Sequence, residues 1–220
     1  NIEDYQRNNV MNVRDEQFAV GDARTIAATR GKPAAQERDT VAALRAVPAF
    51  RSLAPAVLTR LAAVATRMDL ARGELLFSVH THAAGLYIVA SGRIMLSVGN
   101  LEAGLKVVRL AEAGDLLGLT ATLLGNTTLS TAEALVDSNV LMLPRDALLE
   151  RAQRDAQLAL ALANAAAQQS RQLSADLESV SLQSGRERIV NYLLACATGG
   201  TSASLAVTLP AKKSIIASRL

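Results

Sequence analysis

The stretch Leu86-Tyr87-Ile88-Val89-Ala90-Ser91-Gly92-Arg93-Ile94-Met95-Leu96-Ser97-Val98-Gly99-Asn100 decides how this chain folds. Two apolar runs are parted by a single glycine and closed by a Gly-Asn pair. That is the punctuation of strand, tight turn, strand and hairpin tip. The same texture extends from Met68 to Leu143. Further apolar runs stand at Leu75-Leu76-Phe77, Val107-Val108-Arg109-Leu110 and Val140-Leu141-Met142-Leu143, with Gly73, Gly104, Gly114 and Gly125 between them. Short strands with regular turns predict an antiparallel β-barrel or sandwich.

Helical patterns flank this β region. Residues 1–40 carry scattered charge without an apolar period and read as a flexible arm. Val41, Leu44 and Val47, then Phe50 and Leu53, suggest a short helix and turn. Pro55 opens another helix with Leu58, Leu61, Ala62 and Ala65 on one face. Residues 41–153 are therefore expected to form one domain, closed by Pro144 and a short helix from Arg145 to Gln153. Residues 154–183 hold one long helix. Its small or apolar seam is Ala159, Ala163, Ala166, Ser170, Leu173, Leu177 and Val180, spaced alternately by four and three. The seam suits a parallel two-helix dimer, and a single helix packed on its own domain is the alternative. From residue 184 to 220 a compact helix (Arg186 to Ala197), a Gly199-Gly200 stop, a strand at Leu205 to Leu209 and a helix opened by Pro210 follow. That last helix breaks off at Leu220, so this domain is expected to be incomplete here.

Composition narrows the function. Half of the residues are apolar but only 3% are aromatic, so the core must be aliphatic. The net charge is +3, and the excess is local: residues 184–220 hold five Lys/Arg against one Glu. A polyanion is the natural partner for that end. The lone Cys196 excludes an intramolecular disulfide and any multi-cysteine metal site, which fits a reducing cytoplasm. No apolar run approaches the roughly 18 residues of a membrane span. No nucleophile–base pair is visible, so no catalytic residue and no enzyme activity is expected.

Three motifs in order resemble the cyclic-AMP-receptor/FNR family of bacterial transcription regulators. The first is Phe77, then Leu86-Tyr87-Ile88-Val89-Ala90-Ser91-Gly92, similar to the family's "LYxVxSG". The second is Gly114-Asp115-Leu116-Leu117-Gly118, similar to the "GDxxG" that enters the ligand cassette, followed by Ser130-Thr131-Ala132-Glu133-Ala134. The third is Gly185-Arg186-Glu187-Arg188-Ile189-Val190-Asn191-Tyr192-Leu193-Leu194, then Leu209-Pro210-Ala211-Lys212-Lys213-Ser214-Ile215-Ile216-Ala217-Ser218-Arg219-Leu220. The resemblance runs from about Val41 to the end. It implies an α+β protein: a cyclic-nucleotide-binding-like jelly-roll barrel, a dimerisation helix and a C-terminal winged helix-turn-helix, here cut short. It also implies a homodimer that binds DNA and answers a small-molecule or gaseous effector. Lys212, Lys213 and Ser214, on the first helix of the helix-turn-helix, would then meet DNA phosphates. A module acting through protein partners rather than DNA is the alternative.

The resemblance implies an effector pocket at Gly118, Leu119, Thr120, Ala121, Thr128, Leu129, Ser130 and Thr131. Family members that bind cyclic AMP carry an acid for the ribose and an Arg for the phosphate in this cassette. Here Leu119 stands at the acid's place and Thr128 or Leu129 at the arginine's, and residues 119–131 contain no charge. Desolvating a phosphodiester without a cation is costly, so an effector other than cyclic AMP is expected. An iron–sulfur cluster needs several cysteines and is excluded. Haem sensing NO or CO is a candidate cofactor mode, with His82 or His80 as axial ligand. The two histidines stand two apart, so an extended loop would turn at most one toward a pocket.

Overall fold

The computed structural model describes residues 33–100, 104–201 and 204–219. The arm expected over residues 1–40 lies outside these up to residue 32. Helix α1 (Pro33–Ala46) leads through a 3-10 turn (Pro48–Phe50) to helix α2 (Pro55–Ala62). Strands β1 (Thr66–Leu70), β2 (Leu75–Phe77), β3 (Gly85–Ser91), β4 (Arg93–Asn100), β5 (Gly104–Glu112) and β6 (Leu116–Leu117) follow. Helix α3 (Leu119–Leu124), strands β7 (Thr131–Ala134) and β8 (Ser138–Pro144), and helix α4 (Arg145–Arg154) complete the sensor-like part.

The β region is two antiparallel sheets, ordered β1-β8-β3-β6 and β2-β7-β4-β5. A jelly-roll-like pair of sheets stands where a barrel or sandwich was expected, with the two sheets not joined into a barrel. Among the described residues no ladder joins one sheet to the other, and β6 and β2 are only two and three residues long. Alternation along β3 explains the stacking. Leu86 and Ile88 pack into a cluster with Leu44, Phe50, Leu58, Leu61, Leu148 and Leu158 of the helical layer. Tyr87 and Val89 point the other way, into a cluster with Leu76, Ile94, Ala111, Leu117 and Ala132. The first sheet is thus buried on both faces, which is why its strands read as continuous apolar runs. Gly92 turns β3 into β4 at φ +92°, and a Cβ there would lie 2.2 Å from Ser138 Oγ. Only glycine meets both demands. β4 and β5 pair from Arg93↔Glu112 to Asn100↔Gly104, so a hairpin forms here, but Gly99 and Asn100, expected at its tip, are paired within β4.

After Asp155 comes helix α5 (Ala156–Leu182), 27 residues long. The Asp155 carboxylate caps it, accepting from the backbone N–H of Gln157 and Leu158 at 3.1 Å each. Leu158, Ala161, Leu162 and Ala165 are its buried stripe, packed on the helical layer. Helix α6 (Gly185–Ala195) follows a capping box between Ser184 and Glu187. A hairpin of β9 (Ala197–Thr201) and β10 (Ser204–Val207) leads to helix α7 (Lys213–Arg219).

Two local expectations change here. Gly199-Gly200 does not stop a helix but lies in β9, opposite Ala206 and Leu205, which need a partner strand. The last helix begins at Lys213 rather than Pro210, because the Lys212 carbonyl accepts the first N–H bonds, from Ile215 at 3.0 Å and Ile216 at 3.1 Å. No helix of the described residues is long and apolar enough to cross a membrane.

The doubly buried sheet sets a stability test. Ile88→Ala removes a fully buried side chain and is expected to cost about 2–5 kcal/mol. Leu129→Ala, at a residue 76% exposed, is expected to change stability by less than about 0.5 kcal/mol. Urea unfolding of both variants measures the contrast.

Candidate functional site

The site candidates begin where β6 runs into α3. Gly118, at φ +71°, makes this turn, and its Cα hydrogens lie against the Tyr87 ring: a Cβ would sit 3.5 Å from Tyr87 Cδ2. Tyr87 itself is held against Phe77, ring centroids 5.5 Å apart, and burial pushes its phenol pKa up. Thr122 Oγ1 donates to the Gly118 carbonyl at 2.8 Å and closes the helix on its own start. Leu119 is buried in the cluster of the helical layer, so the residue at the acid's place serves packing. Ala121 is buried as well, and Thr120 is exposed.

A cation that sequence reading overlooked reaches this cassette from outside it. Arg145, the first residue of α4, donates from Nε to the Thr122 carbonyl at 2.9 Å. Its Nη2 would lie 2.9 Å from a Cβ on Gly125. A guanidinium over the last turn of α3 satisfies a carbonyl that the helix leaves open. The only sequence signal was an Arg directly after Pro144, at a helix start.

The far end of the cassette is stitched to the histidine loop. Thr128, fully buried, donates from Oγ1 to the Ser78 carbonyl at 2.6 Å. Its N–H donates to the Thr81 carbonyl at 2.8 Å, and the His80 N–H donates to the Thr128 carbonyl at 2.8 Å. His82 bridges Thr127, and Thr131 Oγ1 accepts from the Val79 N–H at 3.1 Å. Of the eight pocket residues, Thr128 and Thr131 therefore meet the loop of His80 and His82. Leu119 turns into the helical core, Leu129 is largely exposed and Ser130 is half-buried. His80 adopts φ +63°, the left-handed region.

Both imidazoles are exposed. The donor set does not fit a haem sunk between the sheets, because that space is filled by Tyr87, Val89, Ile94, Leu117 and their neighbours. Among the described residues no group of three or more His, Cys, Asp or Glu is arranged to hold a metal ion.

The long helix touches the cassette entrance. Gln169 Nε2 donates to the Leu116 carbonyl at 3.1 Å, and Arg109, paired with Asp115 at 2.5 Å, donates to the same carbonyl at 3.5 Å. On the seam, Ala159, Ala163, Ser170, Leu173, Leu177 and Val180 are exposed and Ala166 is half-buried. Leu173 and Leu177 are 67% and 68% exposed. At the other end of the chain Lys212, Lys213 and Ser214 are exposed. A cavity of about 380 Å³ lies between α6 and α7, lined by Ile189, Tyr192, Leu193, Leu209 and Ile216 among others.

Comparison with known proteins follows this geometry. Residues 67–155 match the cyclic nucleotide-binding domain. The catabolite activator protein of Thermus thermophilus is 27% identical over 67% of this chain and 70% of its own, with a TM-score of 0.56. The chain thus carries a cyclic nucleotide-binding domain and is similar to transcription regulators of the cyclic-AMP-receptor/FNR type. Two further structures share the fold. FixK2 from Bradyrhizobium japonicum is 22% identical over 70% of this chain and 76% of its own, with a TM-score of 0.61. The sensor domain of the transcriptional regulator DNR from Pseudomonas aeruginosa is 23% identical over 67% of this chain and 97% of its own, with a TM-score of 0.54. No curated protein sequence matches the chain. Within the cassette the Thr128 and Thr131 hydroxyls bind the histidine loop.

That stitching gives the second test. Thr128→Val keeps the shape but removes one of the donors to the Ser78 carbonyl, which keeps the N–H and hydroxyl of Thr81, and is expected to cost about 0.5–1.5 kcal/mol. Hydrogen exchange should quicken at the His80 and Thr128 amides while the β3 amides stay protected.

Proposed function

We propose that this chain is a cytoplasmic, homodimeric, DNA-binding transcription regulator whose sensor domain answers an uncharged small effector rather than cyclic AMP. The observation that carries the reading is the order of three parts in one chain. A cyclic nucleotide-binding domain is followed by a 27-residue helix with exposed leucines, then by a basic unit of helix, hairpin and helix. The proposed division keeps a sensor over 41–153, a dimerisation helix over 154–183 and a winged helix-turn-helix unit over 184–220, while residues 33–40 of the arm expected over 1–40 lie in α1.

The long helix supports dimerisation. Its first half is committed on one stripe to its own domain, while Leu173, Leu177 and Val180 form a separate exposed seam. Pairing of two such seams removes that apolar area from water and sets two heads at half-sites about 34 Å apart. Lys212 and Lys213, with Ser214, supply exposed donors for phosphate oxygens. The effector reading rests on the cassette. Residues 119–131 offer no charge, and Arg145, the cation that approaches them, is engaged with the Thr122 carbonyl and, at 3.4 Å, with Asp146. A neutral or apolar molecule meets no desolvation penalty there. Haem with NO or CO is confined to the exposed histidine rim.

Two experiments test this reading. Selection from a random duplex pool, followed by anisotropy titration at several salt concentrations, should give a binding site. In Lys212→Ala/Lys213→Ala the slope of log affinity against log salt should fall by about 0.9 per lost phosphate contact. Leu173→Arg/Leu177→Arg should sediment as a monomer and lose tight binding. No duplex binding by the wild type at low salt overturns the DNA-binding reading. Calorimetric titration with cyclic AMP is expected to show no binding, and a Kd at or below about 10 μM, roughly −7 kcal/mol, overturns the effector class.

A further inference from the structure

β5 is an edge strand of its sheet. Edge strands present unpaired backbone groups along one side and are usually blunted or covered. Here the cover comes from the other end of the chain, since α7 lies against β5. Ser218 Oγ donates to the Leu105 carbonyl at 2.5 Å. At the opposite end of the same hairpin Arg93 pairs with Glu112, its cross-strand partner, through Nε at 3.0 Å and Nη2 at 2.9 Å. The third guanidinium nitrogen, Nη1, donates to the Pro210 carbonyl. One arginine thus ties the base of the hairpin to the segment that enters α7.

The lengths agree. Leu105 and Glu112 are roughly 23 Å apart along an extended strand. Pro210 to Ser218 spans roughly 18 Å, as a short extended lead and a helix, and the Arg93 side chain closes the remainder. Segment 210–218 therefore lies along the edge of β5 and is fastened at both ends. On the side away from the sheet, α7 is tied to α6: Ile216 is 6% exposed, and the Arg219 guanidinium sits 5.9 Å from the Tyr192 ring centroid. α6 and α7 are thus in contact, and among the described residues two polar contacts fasten segment 210–218 to the sensor.

We propose that the β4–β5 hairpin is an intramolecular latch that docks α7 on the sensor and holds the head away from DNA. The inference rests on the DNA-binding reading of Lys212, Lys213 and Ser214. Ser214 and Ser218 stand four residues apart on a helix and share a face. The face that meets β5 through Ser218 is then the face of one of the three phosphate-contact candidates. A duplex running along that face collides with the hairpin, so DNA and β5 compete for α7. Among the described residues release breaks one charge-assisted hydrogen bond and one hydroxyl bond, together with the packing of α7 on β5. That is small enough for an effector to shift the balance between docked and free heads.

Arg93→Ala and Ser218→Ala attack the two ends of the latch separately, in the full chain. Hydrogen exchange of residues 213–219 is expected to speed several-fold in each, with the melting of the sensor domain unchanged in Ser218→Ala. Effector-free affinity for the selected duplex is expected to rise in both, up to about tenfold in Arg93→Ala. Glu112→Gln, which spares the Arg93–Pro210 bond, should leave the duplex affinity near wild type. Unchanged exchange at 213–219 in both latch variants overturns the dock. Faster exchange with unchanged or weaker duplex affinity overturns its inhibitory role. If neither wild type nor variants bind any duplex, the DNA-binding reading fails instead, and the exchange data still decide whether the dock exists.

Discussion

Everything in this molecule hangs on one sheet that is buried twice. The β1-β8-β3-β6 sheet places Leu86, Ile88, Leu141 and Leu143 against the helices and Tyr87, Val89 and Val140 against the second sheet. Each face alone would leave a strand half-solvated. Together they make a three-layer stack from a chain with almost no aromatic residues. Aliphatic side chains each bury less area than a Phe or Trp, so the stack needs many of them and tolerates few gaps. The same sheet fixes the cassette, because β6 is its edge and Gly118 follows directly from it.

The cassette is wired largely by residues outside it. Where a charged ligand would need an acid and a base, this chain places Leu119 in the hydrophobic core and sends the Thr128 hydroxyl to the Ser78 carbonyl. The residues that shape the site are instead Tyr87 under Gly118 and Arg145 over the end of α3. Both come from other elements, and neither belongs to the motif that marks the cassette in the sequence.

Signals between the parts have short physical routes. The Leu116 carbonyl, two residues before the cassette turn, accepts from Gln169 of the long helix and from Arg109 of β5. β5 in turn carries α7 along its edge. The carbonyl at the end of β6 is thus tied to both the long helix and the strand against which α7 lies.

The sequence alone determined the flanking helices and the main apolar strands in their order, but not α3 or β9. The run from Leu86 to Asn100 gave strand, turn and hairpin, because Gly92 and Gly99 punctuate two apolar stretches. The long helix was legible from its uninterrupted period, and the basic end from its charge. Only the tertiary structure decided which stripe of that helix is spent inside its own domain, since Leu158 and Leu162 sit one position from the seam and look alike in a pattern. It also decided that the sheets face each other unclosed, that the last helix starts at Lys213, and that cassette hydroxyls serve a loop some fifty residues earlier. The reason is common to all of these. Hydrogen bonds and packing between distant residues leave no periodic trace in the chain, whereas turns, caps and apolar spacing are local and do.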